Sequence, residues 1–174
     1  MVKPFRPSSL TSIQLVQFAY MSGRGARDAL AYLSLTWISG LGRGLKYAIY
    51  CSDVSGAFDK VRAEILMGKL NAYGVPGRLR KVVGSWLEPR IANVIVDGTF
   101  SCEMELWDMV FQGTVFGPPL WNAHYGDAKL PIRDSGFLEV IFADDLNAFR
   151  EYNSKVTNED IKTDTCKCQA KLHE

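Results

Sequence analysis

Two consecutive carboxylates, Asp144 and Asp145, sit between the apolar runs Phe137–Ala143 and Leu146–Arg150. Adjacent carboxylates repel one another unless a cation occupies the space between them. Hard oxygen ligands at a tight turn suit Mg²⁺. An Asp-Asp pair is also a common solvated turn, so it decides nothing alone. Asp53 adds weight, because it follows the apolar run Tyr47–Ser52, where a strand delivers its last side chain to a sheet edge. Taken alone it would serve equally as a strand-end or helix-capping carboxylate. Three carboxylates converging from two neighbouring strands could hold two divalent ions. Such a pair lowers the pKa of a hydroxyl nucleophile and stabilises an in-line phosphoryl displacement.

The elements that must position these groups read as a mixed α+β fold. Residues 1–10 read as loop. Arg27–Ser39 is a helix with Ala29, Leu30, Leu33 and Trp37 on one face, ended by the glycines between Gly40 and Gly44. Tyr47–Asp53 is a buried strand. Helices follow over Val61–Tyr73 and Arg78–Leu87, the second ending ahead of Pro89. Ile91–Val96 leads into a hairpin turn at Asp97-Gly98 and a return strand to Leu106. Gly117-Pro118-Pro119 opens a helix predicted to run to Leu130, before Pro131. Phe137–Ala143 and Leu146–Arg150 pair as strands, and Thr157 with Asp160 forms a capping box for a last helix.

With 174 residues, 47% hydrophobic and 22% charged, the chain has the make-up of one globular domain. It has no apolar run long enough for a transmembrane helix and no signal-peptide core, so the default reading is intracellular, nuclear or cytoplasmic, without a membrane. Cys51, Cys102, Cys166 and Cys168 lack the density of a disulfide scaffold and the spacing of a zinc knuckle. Net charge is +1, but unevenly spread: 13 basic and 6 acidic side chains in residues 1–100, against 7 and 13 thereafter. A basic half beside an acidic half suits a protein that holds phosphates with one and cations with the other; an uneven solvated surface would look the same.

Four segments together resemble a known family. Cys51-Ser-Asp53-Val54-Ser-Gly56-Ala57-Phe58-Asp59 resembles the first palm motif of reverse transcriptases. Phe111-Gln112-Gly113-Thr-Val-Phe-Gly117-Pro118 resembles the second, and Phe142-Ala-Asp144-Asp145 the third. Upstream, Gly23-Arg24-Gly25-Ala-Arg27-Asp28 resembles a fingers segment of the LINE-type (non-LTR retrotransposon) enzymes. They stand in the family's order over about residues 13–150.

The resemblance implies an RNA-directed DNA polymerase that adds deoxynucleoside triphosphates to a DNA primer on an RNA template. Asp53, Asp144 and Asp145 would be catalytic, and with Val54 would ligate two Mg²⁺ ions, or Mn²⁺. Gly56 and Ala57 would offer backbone N–H groups to the triphosphate. Phe58 would be the steric gate against a 2′-hydroxyl, Gln112 and Gly113 would line the nucleotide site, and Arg24 and Arg27 would meet phosphates. Without the family, Phe58 reads as a core residue, Gln112 as a polar loop residue and the arginines as a solvated basic turn. Lys69, Arg78, Arg80 and Lys81 read as solvated helix faces, and Trp37, Trp86, Trp107 and Trp121 as core.

The expected organisation is a partial fingers segment over 1–45, a palm over 46–155, and over 156–174 the start of a C-terminal palm helix. That helix still runs at Glu174, which reads as truncation ahead of an absent thumb. Only a faint echo of an earlier fingers motif appears at Arg6–Leu10. Two other readings stay open: an inactive remnant that at most binds nucleic acid, and an RNA-dependent RNA polymerase, against which Phe58 and Gln112 argue.

Overall fold

Helix α1 spans Ala26–Gly42 and ends inside the glycine stretch predicted to stop it, running past Ser39 through Gly40 and Gly42. Gly40 is buried there because the Tyr47 ring lies against the bare helix backbone, in space a Cβ would occupy. The Tyr47 hydroxyl also donates to the Thr36 carbonyl at 3.0 Å. The stop comes only at Arg43, with the left-handed Gly44 (φ +77°) next. Residues 16–107 and 109–173 are described in this computed structural model. The loop read at residues 1–10 and the echo at Arg6–Leu10 lie outside them.

Strand β1, Lys46–Ser52, follows, then a short 3₁₀ turn at Ala57–Lys60 and the helices α2 (Ala63–Ala72) and α3 (Gly77–Trp86). The expected hairpin divides into two ladders. The outer pairs β2 (Arg90–Ala92) with β5 (Met104–Leu106); the inner pairs β3 (Ile95–Val96) with β4 (Thr99–Phe100). Between them the Ser101 N–H still donates to the Val94 carbonyl at 2.9 Å, and side chains add two bonds: Asn93 donates to the Ser101 carbonyl, and Ser101 Oγ accepts the Val94 N–H. Asp97 (φ +49°) and Gly98 (φ +79°) both take the left-handed conformation that a two-residue hairpin turn requires.

The helix predicted to end before Pro131 is instead two, α4 (Gly117–Tyr125) and α5 (Lys129–Asp134). Pro131 is the third residue of α5, in the first turn, where its missing N–H costs no helical bond. Strands β6 (Leu138–Phe142) and β7 (Asp145–Tyr152) come next, then α6 (Asn158–Leu172). Thr157 caps α6 as predicted, accepting the Asp160 N–H at 3.2 Å. Among the described residues no helix is long and apolar enough to cross a membrane.

The chain divides into two compact units. In one, described over residues 16–55 and 125–173, the antiparallel sheet runs β1-β7-β6. Its strands alternate, so each face buries its own set. On one face Val140 and Phe149 pack with Ala29 and Leu33 of α1, and Trp37 meets Phe149 edge-on. On the other, Ala48, Ile141, Leu146 and Ala148 pack with Ile132 of α5 and Cys168 of α6. Leu30, expected on the inner face of α1, is 64% exposed. In the other unit, Gly56–His124, Leu66 and Leu70 of α2 and Val83 of α3 are buried. Trp121 is buried there as predicted, whereas Trp107, 60% exposed, lies outside the core assigned to it. The exposed Trp107 indole donates to Glu105 at 2.8 Å, so its polar edge is satisfied at the surface.

Candidate active site

Strand pairing gathers the three aspartates at one end of the β1-β7-β6 sheet. Ser52 of β1 pairs with Leu146 of β7, so the next residue, Asp53, stands one step past that pair, beside Asp145. Phe142 pairs with Asp145, and Ala143 and Asp144 make the two-residue turn between β6 and β7. Asp53 and Asp145 are exposed; Val54 and Asp144 are half-buried. Just inside the end of the sheet, Cys51 Sγ donates to Asn147 Oδ1 at 3.1 Å across β1 and β7.

Tyr125, the last residue of α4, reports on the same place. Burial first, then Asp144, Tyr50, Asp53 and Asp145, push its phenol up to about 12. All three aspartates therefore act on one half-buried tyrosine, whose hydroxyl keeps its proton at neutral pH. The donor set fits a hard divalent cation: three carboxylates at one sheet end, all hard oxygen donors. Among the described residues no group of three or more His, Cys, Asp or Glu side chains is arranged to hold a metal ion. The fit thus rests on donor chemistry and strand register, not on a closed cage.

The basic segment before α1 belongs to the same unit. Arg24 Nη1 donates to the Gln17 carbonyl at 3.5 Å, and its guanidinium lies 5.4 Å from the centroid of the Phe18 ring. Arg27 is exposed in the first turn of α1. Asp28 accepts the Gly25 N–H at 2.8 Å, holding the chain entry to the helix. Phe18, Tyr20, Arg24 and Ala143 line a small cavity of about 170 Å³.

In the Gly56–His124 unit the remaining predicted residues lie close in the fold. Gly56 (φ +65°) starts the 3₁₀ turn that holds buried Ala57 and half-buried Phe58. The Val110 N–H donates to the Phe58 carbonyl at 2.8 Å, which brings the segment just before Gln112 alongside the 3₁₀ turn. Gln112 and Gly113 (φ +75°) are exposed in the loop that follows. The Phe58 ring stacks on Trp121 at 5.7 Å and 24°. Lys69, read as part of a solvated face, is half-buried, and its ammonium donates to the His124 carbonyl at the end of α4. A cation at a helix C-terminus complements the carbonyls exposed there. Arg78 and Lys81 are exposed as expected, while Arg80 is half-buried.

Sequence reasoning missed two residues at the aspartate end, Tyr125 and Gln17. Tyr125 is one of several aromatics in α4 and carries no local mark. Gln17 is a single polar residue between Val16 and Phe18, a weak sign of a buried polar group with a job.

The family model described as reverse transcriptase (RNA-dependent DNA polymerase) matches residues 2–172. No curated protein matches the chain. Among solved structures, it is similar to apo telomerase from Candida tropicalis truncated from its C-terminal domain, with a TM-score of 0.60 at 13% identity. That match covers 94% of this chain and 36% of the telomerase chain; at such identity it shows the fold alone. Matched by that family model over almost its whole length, the chain belongs to the reverse transcriptase (RNA-dependent DNA polymerase) family.

Proposed function

We propose that this chain forms the catalytic palm and part of the fingers of a LINE-type RNA-directed DNA polymerase. In this reading residues 1–45 belong to the fingers and 46–155 to the palm, and 156–174 begin its C-terminal helix. The observation that carries it is the pairing of Ser52 with Leu146 and of Phe142 with Asp145, which sets Asp53, Asp144 and Asp145 at one sheet end. These carboxylates, with Val54, would hold Mg²⁺ or Mn²⁺, two ions in all. When bound, the ions supply a lowered pKa for the primer 3′-hydroxyl and charge stabilisation for an in-line phosphoryl displacement.

The chain's own residues then bind and orient. Gly56 and Ala57 offer backbone N–H groups to the triphosphate, and Phe58 bars a 2′-hydroxyl. The stack of Phe58 on buried Trp121 supports a fixed gate, since a ring packed on an immobile indole cannot easily swing aside. Gln112 and Gly113 face the nucleotide, and Arg24 and Arg27 meet phosphates of template or nucleotide. RNA template, DNA primer and deoxynucleoside triphosphates are the partners this implies.

Primer extension on an RNA template with Mg²⁺ tests the reading. Asp144→Asn is expected to lower incorporation by at least 100-fold, since metal-borne charge stabilisation is worth several kcal/mol. Indistinguishable product from the two proteins would end the catalytic assignment. Salt-dependent RNA binding with no incorporation by either would replace it with nucleic-acid binding alone.

A further inference from the structure

Gln17 is 4% exposed and 126 residues from the turn that carries the aspartate pair, yet its carboxamide is bonded to that turn twice. Gln17 Oε1 accepts the Ala143 N–H at 3.0 Å, and Gln17 Nε2 donates to the Ala143 carbonyl at 3.1 Å. The same Oε1 accepts the Ala19 N–H at 3.0 Å, tying the amide to its own segment. Behind it the backbone joins the sheet: Gln17 forms a parallel bridge with Ile141, and the Phe18 N–H donates to the Ile141 carbonyl at 2.9 Å.

Ala143 needs such a partner for two reasons. It takes φ +58°, a left-handed conformation that a residue with a Cβ rarely adopts. It also directly follows β6, an edge strand of the β1-β7-β6 sheet, and both its N–H and its carbonyl are bonded by the Gln17 amide. One carboxamide satisfies both groups together, as a strand residue would.

We propose that Gln17 is a positioning residue: its amide holds Ala143 in the left-handed turn and so fixes how Asp144 and Asp145 leave the sheet. This rests on the proposed role of those aspartates as ligands of divalent ions. Asparagine is one methylene too short to reach both Ala143 groups, and methionine keeps the volume but makes neither bond.

The test is direct Mn²⁺ binding to the 174-residue chain, followed by electron paramagnetic resonance, with circular dichroism as the check on folding. Wild type is expected to bind, and Asp144→Asn to lose binding. Gln17→Met is expected to bind about tenfold more weakly, the usual range for a residue that orients ligands from behind. Adding Ala143→Gly to Gln17→Met should recover much of that loss, because glycine adopts the left-handed turn unaided. A general folding defect would gain nothing from a glycine at that point. Should Gln17→Met fail to fold, Gln17→Asn, which keeps a polar group in the site, should show the same weakening and the same recovery. Equal Mn²⁺ binding by wild type and Asp144→Asn would overturn the metal reading itself. With that reading intact, wild-type affinity in the folded Gln17 variant, or no recovery from Ala143→Gly, would overturn the role of Gln17.

Discussion

Replacing Lys129 with methionine tests what holds the helix under the aspartate-bearing strand. Lys129 opens α5 with 2% of its surface exposed, and Glu139 of β6 is 4% exposed. Arg133 reaches the Glu139 carboxylate at 2.7 Å. Burial, and then the nearby Arg133, pull the Lys129 ammonium down from 10.5 to about 8, against a smaller opposing pull from Glu139. A fall of that size corresponds to about 3 kcal/mol against the charged form in the folded state. The folded pKa lies below the unfolded one, so the full cost applies below pH 8. It shrinks as pH rises through 8 and vanishes near 10.5. Methionine removes the charge at similar volume but forfeits the ammonium's own contacts, worth about 1 kcal/mol. Lys129→Met should therefore stabilise the protein by about 2 kcal/mol at pH 7, with the advantage nearly gone at pH 9.5. Urea denaturation of both proteins at the two pH values measures this. A variant destabilised at pH 7, or a difference independent of pH, would refute the account. Arg133 stays in place to neutralise Glu139, so the carboxylate is not left as a buried unpaired charge.

Three further outcomes can be checked. Phe58→Ala is expected to admit ribonucleotides in primer extension and, through the lost stack on Trp121, to cost about 2 kcal/mol of stability; unchanged sugar selection in a folded variant would remove the gate assignment. Gly117→Ala should destabilise by about 1–2 kcal/mol, because its Cβ would lie 3.2 Å from the Phe111 carbonyl oxygen and 3.3 Å from the Phe58 ring, and a neutral result in denaturant would mean that this turn yields. Tyr125→Phe should flatten the alkaline loss of stability between pH 10 and 12. In that window the unfolded phenol ionises near 10 while the folded one keeps its proton to about 12, so folding weakens as pH rises; an identical alkaline limb in the variant would contradict it.

Most of the local structure was legible in the sequence because it depends on neighbours in the chain. The apolar runs around Tyr47–Ser52 and Phe137–Ala143 form strands, and the Asp97-Gly98 turn and the Thr157 cap form as their residues require. Where the reading failed, a distant group had intervened. The helix was expected to end at Ser39, and the Tyr47 ring packed on Gly40 carries it on to Gly42. Pro131 looked like a boundary, but the earlier break at residues 126–128 moved it into a first turn. Lys69 looked solvated, and the end of α4 supplied its partner. Trp107 looked like core, but 60% of its surface is exposed.

The three aspartates show the same division. By itself the sequence determined which residue types could meet a divalent cation, and the family in whose order they stand. It did so because acidic pairs, glycine turns and apolar runs are local signals. That Asp53 lies beside Asp145 was decided only by the β1–β7 register, a non-local pairing across more than ninety residues. That the turn of Ala143 and Asp144, with Ala143 left-handed, is bonded by the carboxamide of Gln17, 126 residues away, only the tertiary structure shows. No sequence pattern encodes that contact, because a side chain bonded to a distant backbone leaves no periodicity behind.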